Sequence, residues 1–266
     1  MPKKYYRRLT CLLFIISPLA FCKAPLIATN NENNPQIENW QESAITIDGI
    51  DNDWDLNKIR VDSINQLMYK ISNDAFYLYV CIKSKNDCIK MRILEAGMYL
   101  YVNTNGKKKE TAGIVFPIAN RTSFKPVNRK IYKIDTSNMY KYLNNLKEFS
   151  IFGLGGAESS TLFAYEGDNE LNVNVKIGMN KKFELVYEAA IPLTLLNTTD
   201  ITGITKQSKT IAIGIVVNSF PNPATLNDIS ESDRMPPIFK GIPKLPEDLL
   251  FQETKIWNVV NIATPR

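Results

Sequence analysis

The stretches NDAFYLYVCI (73–82) and IKMRILEAGMYLYVNTNGKKKETAGIVFPI (89–118) decide the fold. In the first, Phe76, Leu78, Val80 and Ile82 alternate with Tyr77, Tyr79 and Cys81. That period of two marks a strand with two distinct faces. Asn73-Asp74 just ahead suits a tight hairpin to a strand over 68–71. In the second stretch, Ile89, Ile93 and Leu94 have helical spacing over 89–96, and Gly97 stops the helix. A strand over 98–103 then enters the turn Asn103-Thr104-Asn105-Gly106, where Asn and Gly tolerate positive φ. Lys107, Lys108 and Lys109 read as a solvated edge that resists further strand pairing. Residues 113–118 form the next strand.

Working outward, ITIDGIDNDW (45–54) begins as a short strand over 44–47, turns at Asp48-Gly49 and places Trp54 as a core anchor. Residues 136–147 fit an amphipathic helix with Met139, Leu143 and Leu146 on one face. Strands follow over 149–154, 171–177, 183–191, 210–218 and 255–262. The fourth of these is apolar enough to be buried on both faces. Gly153-Leu154-Gly155-Gly156 lacks the helix and acidic partner of a phosphate cradle and reads as a turn. Residues 222–252 read as one long surface loop. The pattern predicts a mainly β chain: a single antiparallel β-sandwich, jelly-roll or immunoglobulin-like, over 44–263, with helical inserts near 88–96 and 136–147.

As an ordered set these pieces resemble the family 9 carbohydrate-binding module and its DOMON-like relatives, in particular an uncharacterised bacterial branch. The residues that carry the likeness are Asp48-Gly49 with Trp54, and Asn73-Asp74 before Leu78-Tyr79-Val80. The run from Lys90 to Leu94 that leads to Gly97 belongs with them. So do Val186-Tyr187-Glu188 to Ile191-Pro192-Leu193, the Gly214 strand, and Trp257. The resemblance spans roughly residues 44–263. It implies a module that grips a glycan on stacked aromatic side chains, with carbohydrate or another cell-surface component as partner. A structural or assembly component of the cell envelope, with the fold but no small ligand, is the competing expectation.

Residues 1–22 join a basic start to an apolar run over 9–21 that is too short to span a bilayer, which has the form of a secretory signal. Residues 23–43 read as a flexible arm or tether. The chain is expected outside the cytoplasm: periplasmic, anchored at the outer membrane, or secreted. Cys22, just past the apolar run, is the candidate for lipidation; Phe21 departs from the small residue expected before it, so simple secretion stands beside it. Any membrane contact would be through that anchor. An exported chain also permits a Cys81–Cys88 disulfide, with two buried free thiols as the alternative.

Composition excludes several functions. The chain has no histidine, which removes Ser-His-Asp and Cys-His catalysis and imidazole metal ligands. Of 32 basic residues, Lys3, Lys4, Arg7 and Arg8 lie in the leader, leaving 28 against 27 acidic residues. No basic excess remains for nucleic acid. An enzyme is not expected, and a hydrolase is the distant third reading. Glu166, Asp168, Glu184 and Glu188 share a region, but Glu184 and Glu188 on one strand would stand ~13 Å apart, too far for a glycosidase pair.

Two candidate sites remain. Tyr77 and Tyr79 share one strand face, and Tyr99 and Tyr101 share another. If the strands pair, four rings form a platform for a sugar; if the 88–96 helix covers them, they are core. Asp51, Asp53 and Asp55 alternate in an oxygen-rich loop of the kind that holds calcium. A solvated turn is the competing reading, and no other cofactor is expected.

Overall fold

A computed structural model of the chain describes residues 36–37, 39–119, 136–156, 159–196, 209–220 and 247–263. The leader at 1–22 with Cys22, the arm over 23–35 and the loop over 222–246 lie outside these residues. In chain order the strands are β1 (Gln36–Ile37), β2 (Asn39–Trp40), β3 (Arg60–Asp62), β4 (Leu67–Asn73), β5 (Tyr77–Ser84) and β6 (Met98–Asn103). They continue as β7 (Gly113–Val115), β8 (Glu148–Phe152), β9 (Thr161–Ala164), β10 (Asn174–Met179), β11 (Leu185–Pro192), β12 (Thr210–Val217) and β13 (Thr254–Asn261).

They form two sheets, so the protein is a mainly β, largely antiparallel sandwich. One sheet has the order β1-β13-β12-β6-β7-β8-β9; the other runs β10-β11-β5-β4-β2, with β3 also on β4. Among the described residues, only the two-residue strands β1 and β2 pair in parallel, with β13 and β4. Residues 36–37 and 39–40 of the expected arm are therefore strand. The expected strand at 44–47 is not one: Ile45 packs instead as part of a loop laid over the second sheet.

Alternation sorts the side chains. Leu78, Val80 and Ile82 of β5, Leu100 and Val102 of β6, and Ile211, Ile213 and Ile215 of β12 meet in one apolar cluster between the sheets. Phe76, expected with them, is 72% exposed, because the hairpin turn runs to residue 76 and β5 begins at Tyr77. Asp74 shapes that turn, its Oδ1 accepting from the amides of Phe76 and Tyr77 at 2.7 Å each.

The chain crosses from one sheet to the other through α1 (Asp87–Met91), which continues as a π-helical turn over Arg92–Ala96. Asn86 caps it by accepting from the amides of Cys88 and Ile89. Ile89, Ile93 and Leu94 enter the core. Arg92 is fully buried and donates to the carbonyls of Val217, Asn218 and Leu249 at 2.6, 2.9 and 2.6 Å. Burial lowers its pKa to about 10. Two further helices are α2 (Thr136–Asn144), shorter than the 136–147 expected, and α3 (Glu247–Phe251), within the expected loop.

The disulfide does not form: Cys81 and Cys88 are both free and buried. Cys81 sits mid-strand in the cluster of Trp54 and Tyr79, while α1 carries Cys88 into another, with Met91, Phe220 and Leu250.

Candidate functional site

The crossover at α1 separates the four tyrosines. Tyr77 and Tyr79 lie on β5 of one sheet, Tyr99 and Tyr101 on β6 of the other, so the expected four-ring platform does not exist. Tyr77 and Tyr79 pack beneath the 45–56 loop with Ile45, Trp54 and Leu56. The Tyr79 hydroxyl donates to Asp74 Oδ2 at 2.7 Å, and burial with that bond raises its pKa. Tyr79 is core and Tyr77 is half-buried beside it, both covered by this loop rather than by the 88–96 helix.

Tyr99 and Tyr101 face outward, since Met98, Leu100 and Val102 take the inward positions of β6. Strand register sets Trp257, Gly214, Tyr101, Gly113 and Phe152 in one line across five strands. Gly214 makes room for the tryptophan. A methyl group there would meet three consecutive atoms of the Trp257 benzene ring, each at 2.9 Å. Equal distances to three ring atoms mean the ring lies face-down on the glycine. Trp257 is then within 20° of parallel with Tyr101 at 6.1 Å, and Tyr101 within 5° of Tyr99 at 5.5 Å. Phe152 closes the row edge-on to Tyr101, at 5.8 Å and 79°.

Three near-parallel rings thus step along the outer face of the seven-stranded sheet. Tyr99 and Trp257 are half-buried, and Tyr101 between them is 8% exposed. Burial and a hydrogen bond to Glu110 push the Tyr101 hydroxyl up to about 12. Glu110 also pairs with Lys255, so a salt bridge borders the rings. Sequence reading found the two tyrosines and missed Trp257 and Phe152 as their partners. The signal was Gly214: a glycine inside an apolar strand marks close approach of something else.

The three aspartates of the expected calcium loop go to separate partners rather than to one centre. Asp51 pairs with Lys83 and accepts from Asn180; Asp53 Oδ2 accepts from the Thr46 amide at 2.7 Å; Asp55 caps a short 3-10 turn through the Asn57 amide at 3.2 Å. Among the described residues, no three acidic or cysteine side chains are gathered as a metal site. The loop is instead tied down by Glu188, whose carboxylate is fully buried. It accepts from Trp54 Nε1 and Gly49 N at 2.6 Å and Asp48 N at 3.0 Å. Burial pushes this carboxyl up to about 7, against three donors that favour the anion.

Glu184 is engaged as well, with Lys83 at 2.8 Å, Lys85 at 3.2 Å and Asn180 at 2.9 Å. Burial alone would raise its carboxyl, but these three partners hold it down at about 2. Glu184 and Glu188 are therefore occupied in holding the loop to the sheet. The ring face offers a flat apolar surface with a charged border, suited to stacking on the apolar face of a sugar.

No family model matches the chain, and no curated protein and no solved structure matches it.

Proposed function

We propose that this chain is a non-catalytic binding module, exported from the cytoplasm, that holds carbohydrate on the outer face of its seven-stranded sheet. The observation that carries the reading is the near-parallel series Tyr99, Tyr101 and Trp257, bordered by the Glu110–Lys255 pair. Aromatic rings combine large apolar area with a polar tip, and each well-placed ring contributes about 1 kcal/mol. The ordered motifs that resemble the family 9 carbohydrate-binding module point the same way. A structural envelope component is the second reading, favoured by the low exposure of Tyr101, which packs the centre of the row.

A glycan array with the purified protein, run with and without calcium, tests the proposal. The expected result is a calcium-independent signal that Tyr99→Ala weakens about fivefold, the equivalent of ~1 kcal/mol for one ring. Tyr99→Ala should also leave the melting temperature within a few degrees of wild type. An array without signal removes the carbohydrate reading and leaves the structural one.

A further inference from the structure

We propose that a second cleft, beside the π-helical turn and α2, binds a small organic ammonium ion. Its apolar wall is Leu94, Ile118 and Leu146, and its volume is about 240 Å³. That is below the ~300–1,000 Å³ of drug-sized sites and fits a ligand of a few heavy atoms. Glu95 lies in the π-helical turn and lines this cleft. Its side chain is 4% exposed, and its Oε1 is buried with no hydrogen-bond partner.

A buried carboxylate oxygen left without a donor is costly, and the neighbours do not answer it. Arg92, on the same turn, spends its guanidinium on three backbone carbonyls. Burial, with the nearby Glu95 carboxylate, pushes the Tyr142 hydroxyl up to about 12, and Glu95 Oε1 stays without a partner. Lys147 and Glu148 also line the cleft and both are exposed, so with Glu95 the lining has a net charge of −1. No ion pair among the described residues reaches Glu95. The lining therefore combines a carboxylate with one unanswered acceptor, an aromatic ring and a short apolar surface. Its complement is an N–H-bearing cation with a small apolar body, placed against the carboxylate and the Tyr142 ring. A polyol matches less well, since it needs several donors and acceptors where the wall is apolar. Single π-helical turns recur at functional sites, in keeping with this placement.

The test is a titration of the full-chain protein, methyl-labelled at Leu and Ile, with butylammonium chloride, 1-butanol and glucose, read by NMR. Butylammonium should shift the methyl signals of Leu94, Ile118 and Leu146 saturably, and butanol should bind at least tenfold more weakly. Glu95→Gln, which keeps the shape and removes the charge, should weaken butylammonium at least tenfold. Tyr142→Phe removes a competing hydroxyl beside Glu95 and should hold or strengthen binding, which keeps the test open should Glu95→Gln fail to fold. Absence of shifts at these methyls, equal binding of butanol, loss of binding in Tyr142→Phe, or a stronger response to glucose would each overturn the proposal.

Discussion

Glu188 and Gly214 show how single residues set the two outer faces. Glu188 receives three N–H donors on two oxygens in a site closed to water. Glu188→Gln exchanges one acceptor oxygen for an NH2 that faces donors. The expected loss is about 1–3 kcal/mol of stability, measured by urea unfolding. Gly214 carried a readable signal that the sequence reading did not use, because a glycine inside an apolar strand has few other uses. Gly214→Val should displace the Trp257 ring, costing about 1–3 kcal/mol by overpacking and shifting the tryptophan emission. An unchanged emission spectrum would mean the ring does not rest on this glycine. The role of Glu188 was not legible. Alternation places it outward, and an outward charge on a strand ordinarily meets water. Only the loop that returns 139 residues away in sequence, at Gly49, closes over it.

At the scale of elements, most strands were readable and their partners were not. The alternation of Tyr77 and Tyr79 is the same whichever sheet β5 joins, and likewise for Tyr99 and Tyr101 on β6. What separates them is the crossover through α1 and the π-helical turn, and helical spacing over 89–96 says nothing about direction. The hairpin of β4 and β5 was legible because its Asn73-Asp74 connection is short and polar, whereas the covering loop at 45–56 has no periodic signal. This division predicts opposite outcomes for paired substitutions. Tyr79→Ala, beneath the loop, should cost about 3–5 kcal/mol through cavity formation and lost burial. Tyr99→Ala, on the ring face, should cost far less. Comparable melting temperatures for the two variants would contradict the assignment of Tyr79 to core and Tyr99 to surface. The same loop bears on metal: Asp51, Asp53 and Asp55 already have protein partners, so millimolar EDTA or calcium should leave the melting temperature unmoved.

For the whole molecule, the two buried glutamates of β11 and its turn set opposing limits on stability with pH. Glu188 sits at about 7 in the folded chain, above the ordinary value of 4.5. Folding therefore favours its protonated form, and its cost is fully present above pH 7 and gone below about 4.5. Glu184 sits at about 2, below the ordinary 4.5. Its stabilisation is present above about pH 4.5 and lost as pH falls toward 2. At ~1.4 kcal/mol per pH unit, each contributes about 3 kcal/mol across its window. Stability should thus rise as pH falls from 7 toward 5, pass a maximum near 4.5–5, and fall below it. The chain has no histidine, so no side chain of ordinary pKa titrates between pH 5 and 8 to obscure the upper limb. Urea unfolding at intervals from pH 3 to 8 checks this. Glu188→Gln should flatten the limb between 5 and 7 and leave the acid limb in place, and Glu184→Gln should do the reverse. A wild-type profile that is level from pH 5 to 7 would show that the three N–H donors, rather than burial, govern Glu188.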